Sequence, residues 1–511
     1  MKRALILSAL ISILFLAAPV SASTPLITPP PRQVEWLPAA VTVGRGIAIS
    51  AASPEEQQIG RVIAQEFTRL HAIPTARNAK GAMEVVLALS ASPRGKALLD
   101  ASAQASQYRA APGDEKYLLE TGANRVVIVA ETPRGLLYGG MTLLQMATKA
   151  GGRTEIAGAR MVDYPQLGFR SLHICIFPNT ELEGVRQAIL LAARYKYNAI
   201  VIEPWASLKS VKHPETAYEH TYTPDQIRPL IHLGKALQME MIPMLNSWGH
   251  ASGMRGNSAQ HVVLDRFPQF KPLYEEDGWS FCLTNPDIYP HLFDRYGELL
   301  ELFENPRYFH LGLDEAWGHR GLMESNRCRG ENPRETLAAH LKKIVGYFSE
   351  RNIQVFMWHD MFIQRDHPTL GRLSPANSIP PFNSHLVLEQ LPKNVIMAAW
   401  NYSATQEWPV MQYFEEKGFP VVACPWKVRK NAVQMVETSK KLGIMGMMQT
   451  TWDSLDVTLP TVGEAGVVAW TEPGFKIDAI PYDGGFLNPI RQLSITSLPK
   501  LENTLRSSAR R

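Results

Sequence analysis

The sequence predicts an α/β fold, a (β/α)8 TIM barrel preceded by a small α+β domain, and three observations carry that expectation. From about residue 164 onward, apolar strands and amphipathic helices alternate with little interruption. Eight such strands fall within roughly 300 residues, the count and size of a (β/α)8 barrel. Residues 39–160, by contrast, gather strands against two helices, as a small α+β domain does. A doubly wound open sheet would share the rhythm of the longer part, but no Gly-rich phosphate turn follows its first strand.

A chain of 511 residues exceeds one ordinary core, and 45% hydrophobic with 20% charged residues is the composition of a globular protein. The formal charge of +4 is spread without a long basic run, so neither nucleic acid nor a membrane surface is implied as a partner. Met1-Lys2-Arg3, an apolar run over residues 4–20 and the small residues Val20-Ser21-Ala22 read as a secretory signal over residues 1–22. An uncleaved anchor is the alternative; no other stretch is apolar enough to span a bilayer after signal cleavage. The expected location is therefore secreted or periplasmic. Cys175, Cys282, Cys328 and Cys424 are scattered singly, with no metal-finger spacing. Cys282 and Cys328 flank the fourth barrel strand, and both a disulfide and buried free thiols remain open for them.

Residues 23–38, rich in Pro and Thr, read as a linker. A weakly alternating strand over 40–51 precedes a helix over 54–70 capped by Ser53, with Ile59, Val62, Ile63, Phe67 and Leu70 at helical spacing. Strands follow at 83–89, 117–120 and 126–130, the last two joined by Gly122-Ala123-Asn124. Thr132-Pro133 then opens a helix to about residue 150, with proline where its missing N–H costs least.

The barrel is expected over 161–495, with 496–511 as a C-terminal tail. Its first strand, 172–177, leads to a helix over 180–196 and a second strand over 199–202 ending at Glu203-Pro204-Trp205. Thr223-Pro224 caps the next helix, and the strand at 240–245 leads into Asn246-Ser247-Trp248-Gly249-His250. After a longer excursion, Asn285-Pro286 opens a helix that feeds the strand at 308–314. A helix over 335–350 and strands at 355–358, 395–400, 420–424 and 443–451 complete the set.

If the fourth strand runs to Asp314, then His310, Gly312 and Asp314 share one side, and a turn after Asp314 lets Glu315 face the same cleft. Two carboxylates held together in a partly dry site do not both ionise easily, so one is expected to stay protonated near neutral pH. Such an acid suits glycosidic bond cleavage. A helix N-cap followed by a first-turn acid is the plain alternative.

In a barrel the active site stands at the C-terminal strand ends. Those ends carry Arg170 and His173, then Glu203 and Trp205, then Asn246 and His250, then His310, Asp314 and Glu315. The last four carry Trp358 with His359-Asp360, Trp400 with Asn401-Tyr402, Trp426, and Trp452-Asp453. Only 11 of 511 residues are Trp, so a Trp at four consecutive strand ends is not what chance distributes. Aromatic faces stack on the C–H surfaces of sugar rings and can enclose an acetamido methyl. Sealing the barrel top is the alternative role for any one of them.

The segment Tyr308-Phe309-His310-Leu311-Gly312-Leu313-Asp314-Glu315 resembles the His-x-Gly-Gly-Asp-Glu motif of the family 20 glycoside hydrolases, the β-N-acetylhexosaminidases, with Leu313 in place of the second Gly. Gly168-Phe169-Arg170-Ser171 is similar to the family's strand-one segment, and Trp248-Gly249-His250 to the Pro-Gly-His after strand three. Trp358-His359-Asp360 resembles the Gly-Trp-Asp/His of strand five, and Trp452-Asp453 the Trp-x-Glu region after strand eight. The resemblance covers most of the chain after the signal, and the α+β domain looks like the family's non-catalytic N-terminal domain.

The resemblance implies an exo-acting β-N-acetylhexosaminidase without a cofactor, acting on an oligosaccharide or glycoconjugate with a terminal N-acetylhexosamine. The substrate's own 2-acetamido oxygen is then the nucleophile, and the configuration is retained. Glu315 becomes the general acid and then the base. Asp314 orients the acetamido N–H and steadies the positive charge. Arg170 binds sugar hydroxyls, and Trp358, Trp400 and Trp452 form the acetamido box. Tyr402 holds the acetamido carbonyl, while His310 supports Asp314 or its loop. The family's His/Asp-rich segment after strand two is replaced by Glu203-Pro204-Trp205-Ala206, and Asn246 stands where an acid is expected. A carbohydrate-binding protein that has lost turnover is one alternative. A metal-dependent barrel hydrolase using His173, His250, His310, His359 and Asp360 is another, although no His-x-His or His-Glu-x-x-His spacing is present.

Overall fold

Strand and helix periods fix the two layers of the N-terminal domain. The computed structural model describes residues 24–492 apart from 78–79, 253–261, 277, 317–327, 405–406, 453–454, 482–484 and 486–487. The expected signal, residues 1–22, and the tail, residues 496–511, lie outside the described residues. Among the described residues, nine strands precede the barrel: β1 (Gln33–Trp36), β2 (Val41–Thr42), β3 (Ile47–Ser50), β4 (Met83–Leu89), β5 (Tyr117–Thr121), β6 (Arg125–Ala130), β7 (Ala147–Ala150), β8 (Arg153–Ile156) and β9 (Ala159–Asp163). Six of them form a mixed sheet in the order β1-β9-β5-β6-β4-β3, and β2-β8-β7 form a small second sheet.

Along β4 the side chains alternate as the strand period requires: Met83, Val85 and Leu87 join the main core, whereas Val86 faces a second cluster with Leu99 and Tyr108. The helix Pro54–His71 starts with a capping box between Ser53 and Glu56. Glu56 also accepts the Leu89 N–H at 2.8 Å, which ties the helix to the sheet. The stretch expected to be a linker ends differently. Val34 pairs with Met161 in register, so residues 33–36 are an edge strand of the domain rather than a free connection. The helix Pro133–Met146 stops earlier than expected because residues 147–150 leave it to pair with β8.

The barrel strands are β10 (Phe169–Ile176), β11 (Ala199–Pro204), β12 (Glu240–Pro243), β13 (Tyr308–His310), β14 (Gln354–Trp358), β15 (Ile396–Trp400), β16 (Val421–Cys424) and β17 (Gly446–Gln449). They form one eight-stranded sheet in which every pair is parallel. A single parallel bridge between Met244 and His310 joins its two edges, so the barrel is nearly closed. Its interior is filled by Phe169, Val201, Ile242, Tyr308, Phe356, Ile396, Val422 and Met448, with Trp358 above them. No helix among the described residues is long and apolar enough to cross a membrane.

The two domains share buried polar contacts. Lys196 and Asp163 meet at 2.7 Å, each with no side-chain exposure, and Asp163 also accepts from Trp470 Nε1 at 2.9 Å. Cys282 and Cys328 form a disulfide that closes 46 residues of sequence, while Cys175 and Cys424 are buried outside any disulfide. The bridge staples the excursion after β12 to the segment that follows the Asp314-Glu315 loop.

Candidate active site

Strand β13 ends at His310, earlier than its apolar pattern suggests, and the next six residues form a loop. Gly312, Leu313 and Glu315 take φ values of +69°, +79° and +47°, a left-handed path that only glycine adopts without cost. This path, and not strand alternation, brings Asp314 and Glu315 to one cleft. A Cβ on Gly312 would stand 2.0 Å from Asn246 Oδ1, so glycine is required there for close approach as well as for φ.

Hydrogen bonds from four neighbouring elements hold the loop. The Gly312 N–H donates to His310 Nδ1 at 3.0 Å, and Trp358 N donates to the Gly312 carbonyl at 2.9 Å. Ser247 N donates to the Leu311 carbonyl at 3.0 Å. The Glu315 N–H donates to Asp360 Oδ2 at 3.0 Å, and Trp279 Nε1 donates to the Glu315 carbonyl.

His250 brings the two acids together. Its Nε2 lies 3.3 Å from Asp314 Oδ2 and 3.5 Å from Glu315 Oε2. The Trp248-Gly249-His250 segment approaches this loop so closely that a Cβ on Gly249 would stand 2.0 Å from the Asp314 carbonyl oxygen. Burial acts to lower the His250 pKa, but the Asp314 and Glu315 carboxylates outweigh it and raise the imidazole to about 10. His250 is thus a cation at neutral pH. The rings of Trp205 and Trp279 both pack against it, at centroid distances of 5.0 and 4.4 Å.

A third acid belongs to the cleft. Asp360 accepts from Glu315 N, from Asn377 Nδ2 at 2.8 Å and from Trp400 Nε1 at 3.0 Å. Burial and the charge on Asp314 raise its pKa to about 7, against donation from Glu315 N and Asn377. The carboxyl driven toward its neutral form by burial is therefore Asp360, which the sequence reading placed in a motif without giving it this part.

The aromatic residues divide by depth. Trp358 is fully buried and forms the floor, packed against His310 at 4.5 Å and Trp452 at 5.7 Å. Trp400, Tyr402, Trp426 and Trp452 are half-buried and rise above it. Tyr402 stacks on Trp400 at 5.0 Å, meets Trp426 at 5.1 Å and accepts a hydrogen bond from Trp452 Nε1. Trp400 Nε1 and the Glu315 N–H both donate to Asp360, which sets the aromatic wall beside the acid pair.

Glu203 is buried beneath the cleft, where its oxygens meet His173 Nε2 at 2.9 Å and Asn246 Nδ2 at 2.8 Å. Asn246, standing in place of an acid, donates to Glu203 and avoids a second negative charge beside it. The histidines considered as metal ligands are engaged separately: His310 with Gly312 N, His173 with Glu203, and His359 Nδ1 with Trp400 N at 3.3 Å. Asp453 lies outside the described residues.

Arg170 is a correction. It stands at the N-terminal end of β10, far from the strand ends that carry the cleft, and its side chain is completely buried. Its guanidinium pairs with Glu115 of the N-terminal domain at 2.5 Å and donates to the Leu167 and Lys196 carbonyls and to Tyr138. It joins the two domains and offers nothing to a sugar. Trp279 was missed altogether, because it sits in the irregular excursion after β12, where no strand period marks it.

Comparison with known proteins accords with this geometry. The sequence model described as "Glycosyl hydrolase family 20, domain 2" matches residues 24–164, and that of "Glycosyl hydrolase family 20, catalytic domain" matches residues 199–452. The chain is 20% identical over 291 residues to the "Lacto-N-biosidase" of Bifidobacterium bifidum, covering 54% of this chain and 24% of that protein. It is 23% identical over 278 residues to the "Beta-hexosaminidase" of Porphyromonas gingivalis, covering 46% and 35%. The chain thus spans about a third or less of the length of these two relatives.

Among solved structures, the Vibrio harveyi GH20 exo β-N-acetylglucosaminidase in complex with N-acetylglucosamine superimposes with a TM-score of 0.67 at 14% identity, covering 94% of this chain and 77% of that one. The GH20 β-N-acetylhexosaminidase of Streptomyces coelicolor gives a TM-score of 0.65 at 17% identity, covering 92% and 96%. At these identities the likeness speaks for the fold. With both family 20 domains matched in order over most of its length, and an Asp-Glu pair in the loop after the fourth barrel strand, the chain belongs to glycoside hydrolase family 20.

Proposed function

We propose that this chain is an exo-acting β-N-acetylhexosaminidase that releases terminal β-linked GlcNAc or GalNAc by substrate-assisted catalysis with retention of configuration. The observation that carries the reading is the convergence of Asp314 and Glu315 on His250 Nε2, 3.3 and 3.5 Å away, in a cleft walled by Trp400, Tyr402 and Trp452. Glu315, more exposed than Asp314, gives a proton to the departing glycosidic oxygen from its protonated form, becomes the carboxylate that faces His250, and then takes a proton from the attacking water. Asp314, nearer the floor, accepts the acetamido N–H and steadies the positive charge as the acetamido oxygen closes on the anomeric carbon. The Tyr402 hydroxyl, fixed by Trp452 Nε1, points its proton at that acetamido oxygen. His250, cationic between the acids, keeps both carboxyl groups in position.

Two features support a secreted or periplasmic location. A signal-like run opens the sequence, and the Cys282–Cys328 disulfide is a bond that persists in an oxidising compartment. The substrate class is an oligosaccharide or glycoconjugate with a terminal N-acetylhexosamine, and the Vibrio harveyi neighbour with its bound N-acetylglucosamine favours this choice. The test is release of aryl aglycone from aryl β-GlcNAc and β-GalNAc by the wild-type chain and by Glu315→Gln. Turnover by the wild type, reduced about 10²–10⁴-fold in the variant, is expected. Binding without turnover by the wild type would sink the enzymatic reading in favour of a carbohydrate-binding protein.

A further inference from the structure

Away from the cleft, His213 and Glu215 on the loop after β11 face His291 on the helix Ile288–Leu302, and one ligand atom from each lies within 4.8 Å of the others. His291 is 3% exposed, and neither of its ring nitrogens has a hydrogen-bond partner among the described residues. An imidazole buried in this way is costly unless something binds it. His213 shows a matching arrangement. Its Nδ1 lies 3.2 Å from Glu215 Oε1, and its Nε2 lies 3.3 Å from Asp294 Oδ2, one helical turn beyond His291.

We infer that His213 Nδ1, Glu215 Oε1 and one ring nitrogen of His291 bind a divalent transition-metal ion of the Zn²⁺ class. Two imidazoles and a carboxylate are the donor set of Zn²⁺ and its neighbours, whereas Ca²⁺ and Mg²⁺ take oxygen ligands. With Nδ1 on the metal, His213 Nε2–H donates to Asp294. A carboxylate on the far nitrogen of a ligating histidine fixes the tautomer and orients the ring. Lys212 Nζ holds Asp294 in turn, at 2.5 Å. Ligands of a tetrahedral zinc ion stand about 3.3–3.5 Å apart. The His213–Glu215 pair, at 3.2 Å, is already close to that spacing, and the His291 ring has at most about 1.5 Å to close.

The consequence is mechanical. The same loop begins at Trp205, which packs on His250, so an ion at this site would pin one wall of the cleft to the helix Ile288–Leu302. The ion takes no part in bond cleavage, and the inference stands whether or not the chain is a glycosidase.

The experiment uses the full chain without an affinity tag, stripped with a chelator, incubated with Zn²⁺ alone and passed through gel filtration before metal analysis. About one Zn²⁺ per chain is expected to be retained. His291→Ala and Glu215→Gln should each weaken binding about 100-fold or more, and Asp294→Asn about 10–100-fold. His232→Ala, a histidine paired with Glu304 on the surface, should leave binding unchanged. Co²⁺ in place of Zn²⁺ should give the visible absorption of a four-coordinate site, lost in the same variants. If His291→Ala does not fold, Glu215→Gln, which keeps the side chain's shape, decides. Retention well below one ion per chain, or retention unchanged by Glu215→Gln, overturns the inference.

Discussion

Asp360 Oδ2 accepts the backbone N–H of Glu315 at 3.0 Å, so an acid at the end of the fifth barrel strand holds the loop that carries the acids of the fourth. The same carboxyl receives Trp400 Nε1 at 3.0 Å, and thereby fixes one aromatic wall relative to the acid pair. Replacing Asp360 with Ala releases both partners at once. The expected result is a fall of about 100-fold in kcat/KM on an aryl β-N-acetylhexosaminide, the size associated with slight misplacement of reacting groups. Asp360→Asn should recover only part of this, because an amide nitrogen would face a donor wherever it is turned. Steady-state kinetics of the two variants check the point.

The pH dependence of stability follows from two shifts that act in the same direction. His250 is raised from 6.5 to about 10, so its stabilisation is fully present below pH 6.5 and is lost as pH rises toward 10. Asp360 is raised from 3.8 to about 7, so the folded protein holds a proton that the unfolded chain releases. Its contribution therefore falls as pH climbs through that window. Urea midpoints of the wild type should drop between pH 6.5 and about pH 9.5, and His250→Gln should show a flatter profile over the same range.

Arg170 and Glu115 give a prediction that separates stability from binding. Their 2.5 Å pair is buried and crosses the domain boundary. Removing Arg170 takes from the buried Glu115 its shortest ion pair and leaves it Arg134 at 3.0 Å and Asn198 Nδ2 at 2.9 Å, so the expected cost lies at or below the about 3–5 kcal/mol of a buried pair broken outright. Arg170→Ala is therefore expected to lower the urea midpoint strongly while KM of the folded fraction stays that of the wild type. A raised KM with unchanged stability would return Arg170 to the sugar site.

That residue also shows where sequence reading succeeds and where it fails. All eight barrel strands were legible as short apolar runs between amphipathic helices, because both faces of a parallel strand are buried. Arg170 was assigned by its motif, yet it precedes the apolar run 172–177, and residues at that end of a strand lie at the foot of the barrel. Asp314 and Glu315 were legible as a pair. A turn after Asp314 that lets both acids face one cleft is expected from the sequence; its course is not legible, because the strand already ends at His310 and the loop depends on left-handed φ values at Gly312, Leu313 and Glu315 that no periodicity encodes. Trp279 and Asp360 entered the site through contacts between distant segments, at 36 and 45 residues from Glu315. The linker expected over 23–38 failed for a related reason: Pro and Thr mark irregular chain, but the pairing of β1 with β9 spans most of the domain.

Leu313 sets strain against burial. Its φ of +79° costs about 1–2 kcal/mol relative to glycine. Its side chain is fully buried, and truncating a buried leucine costs about 2–5 kcal/mol. Burial outweighs strain, so Leu313→Gly should destabilise the protein by about 1–3 kcal/mol. Chemical denaturation measures the sign directly, and a gain in stability would show that strain dominates.

The dependence of turnover on the sugar's 2-acetamido group bears most directly on the proposed chemistry. The measurement is kcat/KM for an aryl β-GlcNAc beside the matching aryl β-glucoside, which differs only in carrying a hydroxyl at that carbon. An intramolecular nucleophile held by Asp314 and Tyr402 predicts a preference of at least about 10³-fold for the acetamido sugar. Equal rates on the two substrates would mean that the nucleophile comes from elsewhere, and that account of the Asp314-Glu315 cleft would be wrong.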